Sequence, residues 1–416
     1  MNLPQEFSQY TRRLMGESLF ETFLNGMTEE PPTSIRLNPF KTKGATVEGE
    51  NVPWCPTGWY LKERPNFTFD PFLHAGLYYV QEASSMFISH VLRQLVHHPI
   101  IMLDLCAAPG GKSTCAMSAL PEGSRLFSNE PLRPRAQILY ENILKFGHPG
   151  ITVTNNYACD YQQAHALFDL ILADVPCSGE GMFRKDKSAI DEWSVANVEK
   201  CQRLQRDIIR NIWPCLRPGG LLIYSTCTFN AHENEENIAW IAQELGAEAV
   251  AVDTNEPWNI TGPLAGQLPA YRFIPGKTRG EGLFMAILRK EGDSEKVRES
   301  QVQKATKVLR TMAGNRSVDK KGKDPIPLQA KALSALLDTS TCTTVEINYQ
   351  EAIGYLRREA LTLPAGTPRG EILLTYQGKP LGFVKNIGNR ANNLYPTEWK
   401  IKSTHVPLGN TEIISL

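Results

Sequence analysis

The chain has 416 residues, 44 basic against 44 acidic side chains, and 42% hydrophobic residues. That length predicts two or three domains, and the composition is globular, which excludes a low-complexity or disordered chain. No apolar run reaches the ~18 residues of a membrane helix. The nine cysteines include no Cys-x-x-Cys pair, which argues against a zinc ribbon and a disulfide framework.

Met1-Asn2-Leu3-Pro4-Gln5-Glu6 has no basic stretch leading into an apolar run, so no secretory signal is expected. Reduced thiols in the cytoplasm, no bound metal and no membrane partner are the corresponding expectations. The zero net charge hides an asymmetry. From Glu295 to Leu416 there are 18 basic and 11 acidic residues, so the excess of positive charge lies in the C-terminal part. That excess points weakly to a polyanionic partner.

In chain order, Pro4–Leu14 and Glu17–Met27 have helical apolar spacing, and Pro31-Pro32 ends the pair. Ser34–Pro39 reads as a strand, Pro53–Leu61 as strand and turn, and Glu82–Val96 as a helix. Residues 1–75 are expected to form a small α/β module. From Ile100 the patterns alternate. Strands are expected at Ile101–Leu105, Ser124–Ser128, Ile151–Thr154, Leu170–Ala173 and Leu221–Ser225. Helices are expected from Lys112 and over Arg133–Phe146, Val198–Trp213 and His232–Leu245. Strands Ala249–Val252 and Leu283–Leu288 close the set. Repeated βα units predict a mostly parallel, Rossmann-like sheet over 76–290 with helices on both faces. Residues 291–327 are charged and poor in aromatics, which predicts a linker with one helix, Val302–Met312. Residues 328–416 carry strand candidates Ile372–Tyr376, Gly382–Lys385 and Thr411–Ile414 and predict a small β-rich module.

Two features carry chemistry. The first is Leu103-Asp104-Leu105-Cys106-Ala107-Ala108-Pro109-Gly110-Gly111-Lys112-Ser113, where a strand enters a turn of small residues and a helix follows. Small residues let a ligand approach the backbone, and the helix start offers free N–H groups. A P-loop needs glycine where Cys106 stands and is disfavoured by Pro109, which has no N–H. A Rossmann-like methyltransferase binding S-adenosyl-L-methionine fits better. It needs an acid after the second strand for the ribose hydroxyls, and Glu130 stands about 20 residues past the turn. At the end of strand three, Asn156 or Asp160 could bond the adenine edge.

The second feature is a pair of cysteines, each just past an apolar strand. Cys177 lies in Asp174-Val175-Pro176-Cys177-Ser178-Gly179, and Cys227 in Tyr224-Ser225-Thr226-Cys227-Thr228. Strand carboxyl ends are where such sheets bind ligands, and a thiolate is the strongest side-chain nucleophile near neutral pH. The other cysteines read as small buried hydrophobes.

These stretches resemble the RNA (cytosine-5) methyltransferases of the Nol/Nop/Sun family, most closely its RsmF-like bacterial branch. Arg217-Pro218-Gly219-Gly220, Gly280-Glu281-Gly282-Leu283-Phe284 and Tyr78–Met86 extend the resemblance over most of the chain. It implies that Cys227 adds to cytosine C6, that Cys177 assists release, that Asp174 holds the base edge, and that Lys112 lies near the cofactor or base. It also implies a cofactor-binding set of Cys106, Ala107, Ala108, Pro109, Gly110, Gly111, Lys112, Glu130, Arg135, Asn156 and Asp174. Much of the family has aspartate where Asn156 aligns. RNA, most of all small-subunit rRNA, is the implied partner of a monomer. The N-terminal module and a C-terminal PUA-like module would read RNA shape, and Arg184, Lys185 and Lys187 would grip phosphates beside the flipped base. A tRNA target and a non-catalytic role in ribosome assembly are the alternatives. Both motif cysteines are present, which speaks against the second.

Overall fold

The computed structural model describes residues 3–293, 299–312, 325–403, 405–407, 409 and 413–416. Residues 313–324 of the expected linker and the start of the expected strand at Thr411 lie outside the described residues.

Helices α1 (Gln5–Met15) and α2 (Glu17–Thr28) open the chain. Their apolar faces bury Phe7, Phe20 and Phe23 in one cluster with Phe183, Trp193 and Phe229. Phe7 meets Phe183 edge-on at 5.1 Å, and Phe23 meets Phe229 at 5.0 Å. The N-terminal helices therefore pack against the two loops that follow the motif cysteines.

Next come β1 (Ser34–Leu37), β2 (Thr46–Val47), β3 (Gly49–Asn51), β4 (Gly58–Leu61), α3 (Pro71–His74) and β5 (Tyr78–Val80). Strands β3-β4-β1-β5 form a sheet. Arg36 on β1 is buried and donates to Gln81 Oε1 at 2.8 Å and Thr114 Oγ1 at 2.6 Å. Thr114 belongs to the helix after the glycine turn, so this buried cation ties the module to the core. The expected helix Glu82–Val96 begins late, as α4 (Phe87–Leu95). The Glu82 carboxylate accepts the N–H groups of Ser84 and Ser85 and holds a tight turn there instead.

The core runs β6 (Ile101–Asp104), α5 (Gly111–Ala119), β7 (Arg125–Asn129), α6 (Arg133–Phe146), β8 (Ile151–Thr154), β9 (Phe168–Asp174), α7 (Lys187–Asp191), α8 (Val195–Ile212), β10 (Leu216–Thr226), α9 (Glu235–Leu245), β11 (Ala247–Val250), β12 (Tyr271–Phe273) and β13 (Leu283–Lys290). The sheet order is β11-β13-β10-β9-β6-β7-β8, with β12 on β13. β10, β9, β6, β7 and β8 are parallel, and β13 enters antiparallel between β10 and β11. This is the Rossmann-like methyltransferase architecture the βα alternation predicts. Ser225 pairs with Asp174 in register, so the two cysteine loops leave neighbouring strands side by side. Arg217-Pro218-Gly219-Gly220 is an irregularity inside β10 rather than a turn before it. Gly219 at φ 74° and a proline without N–H are tolerated there because the ladder is already interrupted.

The segment expected as a linker contains α10 (Glu299–Val308), which starts three residues and ends four residues before the expectation. Val302 and Leu309 are buried in the core cluster. The C-terminal module holds α11 (Pro325–Ala332), β14 (Thr344–Glu346), α12 (Tyr349–Leu356), β15 (Gly370–Tyr376), β16 (Lys379–Asn386) and β17 (Ala391–Asn393), with sheet order β14-β15-β16-β17. β18 (Ile414–Ser415) returns to pair with β2. No helix among the described residues is long and apolar enough to cross a membrane.

Candidate active site

The two motif thiols meet. Cys177 Sγ and Cys227 Sγ are 3.3 Å apart, in loops that cross at Gly181, whose N–H donates to Cys227 O at 2.7 Å. A Cβ on Gly181 would lie 2.4 Å from that carbonyl oxygen, so only glycine permits the crossing. Beside the thiols, Lys112 Nζ donates to Asp174 Oδ2 at 2.9 Å, and Ser225 Oγ donates to Asp174 Oδ1 at 2.7 Å. Lys112 comes from the start of α5, Asp174 from the end of β9 and Ser225 from the end of β10. Thus three strand–loop junctions converge on one point.

The surroundings split the two thiols. The hydrogen bond from Cys177 pulls the Cys227 thiol below its ordinary value despite burial, with Lys112 acting in the same direction. The same bond, with burial, pushes Cys177 well up. Cys227 is therefore the more acidic thiol of the pair and Cys177 the less acidic. Burial pulls Lys112 down, but Asp174 more than offsets it and keeps the ammonium charged.

Behind the loops lies a buried polar network that sequence reasoning missed. Glu180 is fully buried and accepts from Phe229 N (2.6 Å), Asn230 N (3.0 Å) and Trp193 Nε1 (3.0 Å). Glu233 accepts from Ser178 N (3.0 Å), Gln205 Nε2 (2.7 Å) and Asn230 Nδ2 (2.8 Å). Each carboxylate bridges one cysteine loop to the other. Burial raises Glu233. The available signal was the run Asn230-Ala231-His232-Glu233-Asn234-Glu235-Glu236, which resembles an acidic helix start. Residues 230–234 are instead drawn into this network, and α9 begins only at Glu235.

The glycine turn lies at the end of β6. Gly110 takes φ 114°, and a Cβ there would meet Leu139 at 3.2 Å. Ala107 N–H donates to Asn129 O (2.8 Å), Ala108 O accepts from Arg135, and Pro109 O accepts from Asn142, across a cis Ala108–Pro109 bond. Cys106 is pushed up by burial, as befits packing rather than catalysis. Glu130 is buried, accepts the Leu132 N–H at 3.0 Å and faces Arg135 at 3.6 Å. Asp104 was not singled out, yet its buried Oδ1 lacks a protein partner while Oδ2 accepts from Ser113. Burial pushes Asp104 up to about 7.

Asn129, Asn155 and Asn156 brace the strand ends. Asn129 Nδ2 donates to Leu105 O and Asn156 O, and Asn155 Nδ2 donates to Glu130 O and Pro131 O. Asn156 is buried, and both ends of its amide bond the Arg310 backbone. Asp160 accepts the Tyr157 N–H and pairs with Arg310 at 3.2 Å. Two of the expected phosphate grips already have partners within the chain. Arg184 donates to Gly26 O and Gly280 O, and Lys185 pairs with Glu281 at 2.6 Å, so both staple neighbouring segments. Lys187 remains exposed at the start of α7.

A small-residue turn, a buried acid after β7 and an unpartnered Asp104 oxygen fit a nucleoside-bearing cofactor across the ends of β6–β8. Comparison with known proteins agrees in order and extent. The model for 16S rRNA methyltransferase RsmB/F matches residues 93–289, that for the N-terminal domain of 16S rRNA methyltransferase RsmF matches 3–83, and that for the methyltransferase RsmF PUA domain matches 342–401. The chain belongs to the RsmB/F family, in its RsmF-like branch. Relatives of this RsmF-like chain include the ribosomal RNA small subunit methyltransferase F of Pectobacterium atrosepticum and that of Escherichia coli. Each is 28% identical, over 95% of this chain and 96% of its own length. Two solved structures share the fold. A methyltransferase homolog from Pyrococcus horikoshii has TM-score 0.58 and 24% identity, over 69% of this chain and 95% of its own. NSun6 from Pyrococcus horikoshii with SFG has TM-score 0.59 and 20% identity, over 70% and 99%.

Proposed function

We propose that this RsmF-like enzyme methylates cytosine C5 in small-subunit rRNA, using S-adenosyl-L-methionine and a covalent bond between Cys227 and cytosine C6. The observation that carries this reading is the polarised thiol pair 3.3 Å apart beside the Lys112–Asp174 pair. Cytosine C5 is a poor nucleophile until C6 is saturated. The Cys227 thiolate adds to C6, which breaks the ring conjugation and makes C5 enamine-like. Asp174 accepts from the N4 amino edge and so holds the base as charge grows at N3. Lys112 holds Asp174 in place and partly offsets the charge that Asp174 sets beside Cys227. When bound, S-adenosylmethionine supplies an electrophilic methyl group to the activated C5. Residues Gly110, Gly111 and Glu130 would hold its amino-acid and ribose ends. On release a water takes the C5 proton, the C5–C6 double bond re-forms, and Cys227 leaves C6 as a thiolate that the neighbouring Cys177 S–H stabilises by its hydrogen bond. Flipping the target base costs a few kcal/mol, least in a loop or bulge.

The test is adduct trapping on rRNA. Cys227→Ala is expected to lose methyl transfer entirely. Cys177→Ala is expected to retain addition and accumulate a denaturation-resistant RNA–protein adduct on gels. An adduct with Cys227→Ala and none with Cys177→Ala would reverse the roles. Bisulfite sequencing of rRNA and tRNA from a deletion strain names the target, and a lost mark in tRNA alone would refute the rRNA assignment.

A further inference from the structure

The segment after the core does not lead directly away from it. It runs along the free edge of β8, at the far end of the sheet from β11. Thr311 forms an antiparallel bridge with Thr154. Asn155 N–H donates to Arg310 O at 2.9 Å, and Met312 N–H donates to Val153 O at 2.9 Å. Asn156 then closes a two-way clamp: its Nδ2 donates to Arg310 O at 3.0 Å, and its Oδ1 accepts the Arg310 N–H at 3.1 Å. The Arg310 guanidinium reaches Asp160 Oδ2 at 3.2 Å. Upstream, Val302 and Leu309 are buried in the core, and Glu299 pairs with Arg125 at 2.8 Å. The segment is thus anchored by apolar side chains and by backbone bonds together.

Its position bears on the cofactor. In a sheet of this kind the ligand lies across the strand carboxyl ends, with the acid after the second strand taking the ribose. Glu130 follows β7, so the base of a nucleoside extends toward the end of β8. Both side chains there that offer hydrogen bonds to a base, Asn156 and Asp160, are held by Arg310. Asn155, which shares the Arg310 carbonyl, also fixes Glu130 O (2.7 Å) and Pro131 O (2.9 Å). One short stretch therefore sets the geometry of both the ribose and base ends.

We propose that Leu309–Met312 forms the adenine-side wall of the methyl-donor pocket, with Arg310 as a positioning residue for Asn156 and Asp160. This rests on the reading of the pocket as a site for S-adenosylmethionine. The wall comes from chain lying between the core and the C-terminal module, so the cofactor site is incomplete without chain beyond the core at residue 290.

The test is calorimetric binding of S-adenosylhomocysteine and of 5′-methylthioadenosine, which lacks the amino-acid end, to the full chain. Met312→Pro removes the N–H to Val153 and Arg310→Ala removes the pair with Asp160. Loss of one hydrogen bond predicts about threefold to tenfold weaker binding of both ligands. The cofactor KM should rise in parallel while kcat at saturation stays near wild type, a split that general loosening of the fold would not give. Arg310 is exposed, so its alanine variant carries the test if Met312→Pro does not fold. Unchanged affinity for 5′-methylthioadenosine in the folded variants, or a loss confined to S-adenosylhomocysteine, overturns the inference. Wild-type protein that binds neither ligand overturns the cofactor reading beneath it.

Discussion

At the residue scale, the division of labour between two chemically identical side chains comes from their neighbours. Cys227 accepts the hydrogen bond of the pair, which lowers its thiol against burial and the neighbouring Asp174 charge. Cys177 donates that bond and is buried, so its proton is retained. A free thiol titrates near 8.5. Cys227 should therefore react with iodoacetamide with a midpoint below that value, the rate rising as pH climbs through it. Cys177→Ala removes the largest cause of the lowering. The midpoint of Cys227 should then move up. A pH–alkylation profile read by mass spectrometry at the Cys227 peptide checks this. An unmoved midpoint would show that Cys177 does not stabilise the anion.

At the scale of elements, the strands were legible because β-rich apolar runs alternate with helical ones, and tertiary packing agreed with local pattern. Arg133–Phe146 and Ile151–Thr154 stand where periodicity places them. Both cysteines were legible for the same reason: each follows a run whose end is set by the sheet. What was not legible is polar and long-range. Glu180 and Glu233 look like solvated acids in the sequence, and only folding brings Asn230, Trp193 and Gln205 to them. The intramolecular partners of Arg184 and Lys185 were hidden similarly, because charge on a loop does not reveal an acceptor distant in sequence. The edge pairing by Thr311 has no period to detect. The crossing at Gly181 belongs to this scale. Gly181→Ala places a methyl where the Cys227 carbonyl oxygen stands, and the backbone must move to admit it. Misplacement of reacting groups by about 1 Å costs on the order of 100-fold in rate. We expect kcat to fall by that order, measured by single-turnover methyl transfer, and the melting temperature to fall with it because backbone must shift. Wild-type turnover would show that the loop crossing does not set the thiol geometry.

At the scale of the whole molecule, the N-terminal and C-terminal modules share one apolar cluster with the core, and the chain's last strand pairs with β2. Buried polar contacts mark the joint. Lys379 Nζ donates to Lys41 O, Ala335 N–H donates to Gly147 O, and Tyr395 OH lies 3.4 Å from His74 Nδ1. His74 Nε2 faces Thr68 O at 2.9 Å, which requires the proton on Nε2 and leaves Nδ1 to accept from Tyr395. The ring is therefore built in neutral, and burial pushes it down to about 3, with Lys145 acting in the same direction. The unfolded chain binds this proton near pH 6.5 and the folded chain only near 3. Stability from this group is thus complete above 6.5 and is lost steadily as pH falls toward 3. At pH 5 the loss is about 2 kcal/mol, from roughly 1.5 pH units at 1.36 kcal/mol each. Wild-type protein should unfold at lower denaturant at pH 5 than at pH 7.5 by that amount. His74→Gln, less stable at neutral pH, should lose this part of the difference because its side chain does not titrate. If the variant shows the full wild-type acid sensitivity, protonation at this joint is not what loosens it, and the acid response must come from another buried group.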